Sequence, residues 1–309
     1  KAIAILERLV EEDSSFLPAR RMRAEAYAAN GEEKKALAEF MFISARLQDL
    51  RPADAAVIPV QQSIKLSVVK DYLFENFIIG PRNNFAYATS LAVAREPGQT
   101  YNPLFLYSDV GLGKTHLLHA IANQILKSRP ELRLLYTSAD EFISELVEAI
   151  ETNSIKQFRA RYKSTDILLL DDVQFLAGKE RAQEEFFHIF NTLFQSQRQI
   201  VVTSDRPPKE MAHLEKRLLS RFGAGIIVDI QSPDVETRVA ILQREIKQLG
   251  SAGLPESLAV RLAQRLESNV RELKGAFNQI IAISRLRGEQ VSDQDLDEVI
   301  EQVLQKIVA

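Results

Sequence analysis

Cysteine is absent from the 309-residue sequence, which excludes disulfide bonds and metal sites built on thiolates. The absence also favours a cytoplasmic location, where thiols stay reduced and disulfides are rare. Long apolar runs are missing too, and none approaches the ~18 residues that a membrane-spanning helix needs. No signal-peptide pattern stands at the start, although the chain opens on Lys1 rather than Met, and we expect it to be part of a longer protein.

A strong excess of one charge sign is lacking as well. The net charge is −3, which argues against a surface coated with basic residues for nucleic acid but is compatible with a local basic patch. Apolar residues make up 46% of the sequence and charged residues 26%, as is usual for globular proteins. The length is sufficient for two or three domains.

The most informative motif lies in residues 103–116. Residues 103–107 form an apolar run that predicts a buried strand, and a loop containing Gly111 and Gly113 follows it. Lys114 and Thr115 then open an amphipathic helix, and this order is typical of a phosphate-binding loop. Backbone N–H groups of the loop would face phosphate oxygens, Lys114 would neutralise the β- and γ-phosphates, and Thr115 would ligate Mg²⁺.

One residue departs from the full phosphate-loop pattern. That pattern places a glycine at position 108, where this chain has Ser108. The glycine relieves crowding where the strand turns into the loop, whereas the phosphate-facing residues 111–115 are intact. A chance match in an ordinary strand-to-helix turn is the alternative, and the partner motifs described next argue against it.

Strands and helices alternate from residue 103 onward, which predicts a parallel α/β sheet whose ligand lies at the carboxyl ends of the strands. The predicted strands are 103–107, 132–137, 166–171, 199–203 and 225–230. From residue 234 only helices are predicted, as a separate small domain, at 234–249, 255–267, 269–287 and 292–305. An earlier helix is predicted to be capped by Asn83 and to run to Ala94.

Residues 1–49 look helical and contain a weak internal repeat. The apolar set Ala2, Leu6 and Leu9 recurs at a shift of about 34 residues, which is the tetratricopeptide period. A plain helical hairpin is the alternative, and the repeat interpretation implies further repeats before Lys1. Residues 50–75 are predicted to be a linker, since 50–65 contain two prolines and no helical stripe.

Acidic residues follow the third and fourth predicted strands. Asp171 and Asp172 end an apolar strand, so one carboxylate would hold Mg²⁺ through water while the other orients or deprotonates the attacking water. Ser204 and Asp205 would reach the same edge and could sense the γ-phosphate. Helix or turn capping is the alternative role for each pair.

Arginines supply the remaining candidates. Arg217 and Arg221 lie four residues apart on one helical face, where they could reach the nucleotide of a neighbouring subunit or form a surface ion pair of little energetic weight. Arg271, near the start of a helix in the second domain, could contact the γ-phosphate and make the angle between the domains depend on the nucleotide.

Together these residues resemble the AAA+ core of the DnaA family of bacterial replication initiators. The resemblance covers roughly three quarters of the chain and includes 76–80, 101–107, 111–117, 171–175, 179–187, 203–206, 220–223 and 268–273. It implies an ATP/ADP switch that assembles head to tail, with Arg221 as the arginine finger, Asp205 as a sensor and Arg271 as the sensor in the helical lid. The implied nucleotide contacts are Ile78, Ile79, Asn84, Val110, Gly111, Leu112, Gly113, Lys114, Thr115, His116 and Arg271.

The resemblance also implies a surface for single-stranded DNA. It would include Val147, Lys179 and Arg181. The nearby segment carries four basic residues against Glu151, an arrangement that suits either phosphate contacts or a solvated helix face. The four are Lys156, Arg159, Arg161 and Lys163.

The family's C-terminal helix-turn-helix domain has no counterpart before Ala309, so we assign no sequence-specific duplex recognition to these residues. The expected domains are 1–49 tetratricopeptide-like, 76–232 nucleotide-binding and 233–309 lid. Two functions remain open. One is an ATP-binding, slowly hydrolysing switch that assembles on DNA, and the other is an adaptor whose repeat segment recruits a protein partner. A helicase loader would share the ATPase core but fits the segments 171–175 and 220–223 less well.

Overall fold

The computed structural model describes residues 68–248, 256–287, 297, 298, 300–302 and 305. These residues all lie in one compact unit that begins at Ser63. The predicted repeat segment, 1–49, and the proline-containing stretch 50–65 lie outside the described residues.

Five parallel strands form one sheet, as the alternating sequence pattern predicts. They are β1 Leu104–Tyr107, β2 Leu134–Ser138, β3 Ile167–Asp171, β4 Gln199–Ser204 and β5 Ile226–Asp229. The strand order is β2-β3-β4-β1-β5, so β1 lies between β4 and β5. The carboxyl ends of β1, β3 and β4 therefore lie side by side at one edge, where a ligand is expected in an open α/β sheet.

The apolar runs of the central strands follow from burial on both faces of the sheet. Every residue of β3 and β4 is buried, whereas the edge strand β5 leaves Ile227 39% exposed. Within the described residues, six helices cover the faces of the sheet: α1 Asn84–Arg95, α2 Lys114–Ser128, α3 Ala139–Glu151, α4 Ile155–Lys163, α5 Glu180–Gln195 and α6 Lys216–Phe222. Aromatic rings from β1, α3, α5 and α6 meet in the core, including Phe105, Phe142, Phe186, Phe190 and Phe222.

A second hydrophobic core lies in the lid, the helical segment that follows β5. Its described helices are α7 Val235–Gln248, α8 Glu256–Arg265 and α9 Val270–Arg287. Leu242, Leu262, Leu273 and Phe277 are fully buried in this core. Arg238, also buried, ties α7 to α8 by donating from Nε to the carbonyl oxygen of Ala263 at 3.0 Å. Within the part of the chain that the structure describes, no helix has both the length and the apolar character to cross a membrane.

Candidate functional site

The phosphate loop connects β1 to α2 and depends on two glycines in left-handed conformations. Gly111 has φ +80° and Gly113 has φ +105°, a region that side-chain-bearing residues rarely adopt. Gly113 is the N-cap of α2, so the first-turn N–H groups of this helix are available to an anion. A Cβ at Gly113 would lie 2.9 Å from the Phe77 ring, and a Cβ at Gly111 would lie 2.7 Å from Oδ1 of Asn269 in the lid. Both positions therefore require glycine.

Lys114 is buried and is held by the loop itself. Its Nζ donates to the carbonyl oxygens of Ser108 and Asp109 at 2.7 and 3.1 Å, and to Oγ of Ser108 at 3.2 Å. Burial lowers the pKa of Lys114, and the charges of Asp172 and Asp171 oppose that shift. The lysine is thus positioned among acceptors that β- and γ-phosphate oxygens could replace.

Asp171 is the most connected side chain of the site. Thr115 Oγ1 donates to its Oδ2 at 2.9 Å, Tyr136 OH donates to the same oxygen at 3.4 Å, and Thr203 Oγ1 donates to its Oδ1. Burial raises the pKa of Asp171, the nearby Asp172 charge adds to the rise, and the hydroxyl donors oppose it. The carboxylate is therefore fixed in orientation beside the first turn of α2.

Asp172 follows in a left-handed conformation, with φ 57°. Its backbone N–H donates to Thr203 Oγ1 at 2.9 Å, and its Oδ1 accepts from Gln174 Nε2 at 3.0 Å. The predicted sensor Asp205 lies nearby, paired through both carboxylate oxygens with Arg206, and the Arg206 side chain lowers the pKa of Asp205. Asp171 and Asp172 therefore differ in access, because Asp172 lines the loop cavity while Asp171 is buried.

Thr115 and Asp171 fit the requirements of Mg²⁺. This ion prefers oxygen ligands and commonly binds one or two carboxylates together with substrate phosphates and waters. The two side chains already share a hydrogen bond, and their oxygens are hard donors of the required kind. Within the described residues no group of three or more His, Cys, Asp or Glu side chains could hold a metal ion. Thr115 and Asp171 alone would leave the coordination of Mg²⁺ incomplete, and the phosphates of a bound nucleotide would supply further oxygen ligands.

One cavity of about 1010 Å³ brings together residues from the loop, the strand ends and the lid. Sequence-predicted residues in its lining are Ile78, Val110, Gly111, Leu112, Gly113, Lys114, Thr115, His116, Asp172, Asp205 and Arg271. Ile79 and Asn84, which were also predicted to contact the nucleotide, are not among the lining residues, whereas Asn83, which was not predicted, is one of them. Ile79 is 48% exposed and Asn84 begins the exposed end of α1.

Asn83 does not cap α1 through its side chain, although it occupies the N-cap position. Its Oδ1 accepts from the N–H of Gly80 at 2.8 Å and its Nδ2 donates to the carbonyl of Ile78 at 3.0 Å. His116 contributes further order, because its Nε2 lies 2.9 Å from the carbonyl oxygen of Leu73. The Asn83 contacts thus order the segment before α1, and the His116 contact joins Leu73 to the first turn of α2.

The predicted assembly arginines lie away from this cavity. Arg217 and Arg221 share a face of α6 and stack over aromatic rings of α5, with guanidinium carbons 4.5 Å and 5.9 Å from the ring centroids of Phe187 and Phe194. Arg217 also forms an ion pair with Glu215. Neither arginine is among the residues lining the loop cavity, so a contact with phosphate would need a second molecule.

The predicted DNA-contacting residues are exposed. Val147 is 48% exposed on α3, and Lys179 and Arg181 lie at the start of α5. Two of the four basic residues counted nearby are engaged within the chain, because Arg159 pairs with Glu185 and Arg161 with Glu145. The local positive charge is therefore smaller than the sequence indicates.

Sequence reasoning overlooked three residues that organise the acidic pair. They are Tyr136, Gln174 and Thr203. Thr203 belongs to the segment 203–206, which carries part of the family resemblance. The register of the parallel strands would have revealed that it lies beside Asp171. Leu170 is paired with Val202, so the next residues along, Asp171 and Thr203, are neighbours at the sheet edge.

Comparisons of the sequence with known proteins identify relatives of this chain. The profile of the bacterial DnaA ATPase domain matches residues 68–229. The chromosomal replication initiator protein DnaA of Deinococcus radiodurans is 54% identical over 215 residues, which are 70% of this chain and 46% of that protein. The chain thus spans about half the length of the curated relatives it matches.

Solved structures of DnaA have the same architecture. Domain III of the Thermotoga maritima protein aligns with a TM-score of 0.72 and 40% identity, covering 76% of this chain and 98% of that one. A replication initiator DnaA bound to AMPPCP and single-stranded DNA aligns with a TM-score of 0.66 and 40% identity, covering 78% of this chain and 70% of that one. The five-stranded parallel sheet is therefore that of an AAA+ protein, and the chain belongs to the bacterial DnaA ATPase domain family.

Proposed function

We propose that this chain is a nucleotide-controlled assembly switch of a replication initiator. It binds ATP or ADP with Mg²⁺, hydrolyses ATP slowly, assembles head to tail in the ATP state and engages single-stranded DNA. The observation that carries the proposal is the convergence of Lys114, Thr115, Asp172 and the lid residue Arg271 on one cavity, with Asp171 directly behind Thr115.

Binding would use the loop backbone and Lys114 for the phosphates. Thr115 and Asp171 would hold Mg²⁺, which neutralises charge that develops on the phosphate oxygens. Asp172, steadied by Gln174, would orient the attacking water and accept its proton. Arg271 would contact the γ-phosphate from the lid, so that the lid position depends on which nucleotide is bound.

Assembly would complete the site. Arg221 and Arg217 lie on α6, away from the loop cavity of their own chain, and a guanidinium from a second copy could stabilise the charge of the transferring phosphoryl group. The solved DnaA structure with AMPPCP and single-stranded DNA supports a strand-binding surface in this family. Val147, Lys179 and Arg181 are the exposed residues that would form it here.

Calorimetric titration with ATP and Mg²⁺ tests the nucleotide part. Lys114→Ala is expected to weaken binding at least about tenfold, because hydrogen bonds to charged groups contribute about 1.5–3 kcal/mol. Lys127→Ala is the matched control, since Lys127 is exposed in the last turn of the same helix. Wild-type protein that binds no ATP, or an unchanged affinity in the Lys114 variant, would contradict the proposal.

Fluorescence anisotropy with a labelled oligothymidylate tests the strand-binding part. Reversing the charges of Lys179 and Arg181 to glutamate is expected to abolish strand binding while ATP affinity stays within about twofold, because the side chains lie outside the nucleotide cavity. Strand binding that survives the double reversal would assign the DNA contact to another surface.

A further inference from the structure

We propose that Gln183 couples the strand-binding surface to the arginine helix α6, so that a bound single strand promotes assembly through this one buried amide. The inference rests on the proposed function, because it joins the surface at Lys179 and Arg181 to the assembly residues Arg217 and Arg221. Gln183 itself is 1% exposed and is not among the residues that line the loop cavity.

The Gln183 amide is bonded to two different segments of the chain. Its Nε2 donates to the carbonyl oxygen of Leu176, the first residue of the turn 176–179, and to the carbonyl oxygen of His213, both at 2.9 Å. Its Oε1 accepts from the backbone N–H of Glu215 at 2.8 Å. Two donors and one acceptor are thus matched in a site with almost no water access, where an unpaired polar group is costly.

The same two segments touch directly. The N–H of Gly178 donates to the carbonyl oxygen of His213 at 3.1 Å, so this oxygen receives bonds from both the turn and Gln183. His213 holds a left-handed conformation, with φ 63°, which is uncommon for a residue other than glycine. The turn at 176–179 and the segment at 213–215 therefore form one hydrogen-bonded unit.

Each end of this unit leads to a predicted functional residue. On one side, the backbone N–H of Gln183 donates to the carbonyl oxygen of Lys179, the N-cap of α5, at 2.9 Å. On the other side, Glu215 is the N-cap of α6, and its carbonyl oxygen accepts from Leu218 at 2.9 Å. Glu215 also pairs with Arg217 through its side chain. A shift of the turn that carries Lys179 would therefore displace the start of α6.

Arg181, Gln183 and Arg217 line one groove of about 910 Å³, so the strand-binding residue, the buried amide and the α6 arginine lie close together. A strand that orders the turn at Lys179 and Arg181 would restrain α6 through the Gln183 amide. The arginines of α6 would then be held in place before a second copy arrives. Coupling of this kind is reciprocal, so assembly must raise strand affinity by the same factor.

The experiment measures that factor directly. Sedimentation gives the protein concentration at half-assembly in ATP, with and without an oligothymidylate, and the ratio of the two concentrations is the coupling factor. Gln183→Met keeps the length of the side chain but removes its hydrogen bonds. We expect the factor to fall from about tenfold to below about twofold, while ATP affinity and monomer strand affinity change less than about twofold. Gln195→Met, an exposed position at the far end of α5, is the matched control.

A second pair of variants tests the same bond from the other side. Glu215 has φ −63°, which proline adopts, so Glu215→Pro deletes the N–H that donates to Gln183 Oε1. Glu215→Ala loses the same carboxylate but keeps the N–H. The proposal requires weaker coupling in the proline variant than in the alanine variant, even if Gln183→Met fails to fold.

The outcomes separate the inference from the proposed function. Coupling that persists in Gln183→Met, or equal coupling in the two Glu215 variants, overturns the role of Gln183. Wild-type protein that binds ATP and strand and assembles without any mutual effect overturns the inference but leaves the proposed function standing. Wild-type protein that binds neither ATP nor strand overturns the proposed function and the inference with it.

Discussion

Thr203 is a single hydroxyl that connects both acidic residues of the site. It donates to Asp171 and accepts from the backbone N–H of Asp172, and it is fully buried. The Asp171 carboxylate can face a metal ion and the left-handed Asp172 can face the cavity because this hydroxyl fixes the space between them. Thr203 is not among the residues that line the loop cavity, so we regard it as a positioning residue.

Thr203→Val removes the hydroxyl with little change of shape. It leaves two buried groups without this partner, at a cost of about 1–3 kcal/mol of folding free energy for each, and it frees the Asp171 carboxylate to rotate. Calorimetry is expected to show that Mg²⁺ no longer strengthens ATP binding, while binding without Mg²⁺ changes less. Thr203→Ser retains the hydroxyl and should behave as wild type. A valine variant with a normal Mg²⁺ effect would assign the positioning of Asp171 to other groups.

Ser108 shows how a departure from a motif is accommodated. Its hydroxyl donates to the carbonyl oxygen of Asp109 at 2.8 Å and lies 3.2 Å from Lys114 Nζ. The side chain is buried, so it occupies space that the glycine of the usual pattern leaves empty. Glycines 111 and 113 of the same loop adopt left-handed conformations, so Ser108 is compatible with that backbone.

At the scale of elements, α2 extends the phosphate loop with its first turn and packs against the core with its buried face. His119 lies on that face, 3% exposed, with Nδ1 accepting from the N–H of Val69 at 3.4 Å and its ring centroid 4.4 Å from that of Tyr136. Burial lowers the pKa of His119 from its ordinary value of 6.5 to about 4, and the nearby His116 adds to the shift. The imidazole is neutral in the folded protein at pH 7.

The sign of the resulting pH dependence follows from the lowered pKa. Between pH 6.5 and 4 the unfolded chain binds the proton more readily than the folded chain does. Stability is therefore fully present above about pH 6.5 and declines as the pH falls toward 4, by about 3 kcal/mol for this one group. Urea unfolding at pH 7.5 and pH 4.5 should show a smaller loss in His119→Gln than in wild type. Equal losses in the two proteins would contradict the buried, neutral imidazole.

At the scale of the whole described unit, the lid and the phosphate loop meet at Gly111. A Cβ there would lie 2.7 Å from Asn269 Oδ1 and 3.0 Å from the Cβ of Arg271. Asn269 in turn caps α9, since its Oδ1 accepts from the N–H of Glu272 at 2.9 Å. The position of Arg271 over the loop thus depends on a close approach that only glycine permits.

Gly111→Ala is expected to weaken ATP binding at least about tenfold, because the methyl group pushes the start of α9 away and strains a backbone with φ +80°. The affinity for ATP should fall more than that for ADP, since Arg271 is proposed to contact the γ-phosphate. Titration calorimetry with both nucleotides measures this difference. Gly223→Ala is a suitable contrast, because this glycine lies outside the loop cavity, has a φ of −76° and would place its methyl group at ordinary distances of 3.6 and 3.7 Å from its neighbours. A Gly111 variant with wild-type affinities would show that the lid does not need this contact.

Local patterns in the sequence determined the parts of this protein that depend on neighbouring residues along the chain. The apolar runs predicted all five strands within about two residues of their bounds, and the spacing of Gly111, Gly113, Lys114 and Thr115 predicted the loop that joins β1 to α2. Strand burial and phosphate-loop geometry are encoded in short stretches, so no knowledge of distant contacts was required. The roles assigned to individual site residues and the boundaries between domains remain predictions.

Only the tertiary structure decided which residues meet across the chain. Thr203 reaches Asp171 from 32 positions away, and Gln183 joins segments that are about as far apart. Arg159 pairs with Glu185, which lowers the positive charge that a linear count suggests. Such contacts depend on strand order and helix packing, which bring together groups that no sequence period relates. The phosphate-binding residues of the loop could therefore be predicted from the sequence. The hydrogen bonds that position the site's carboxylates and arginines could not.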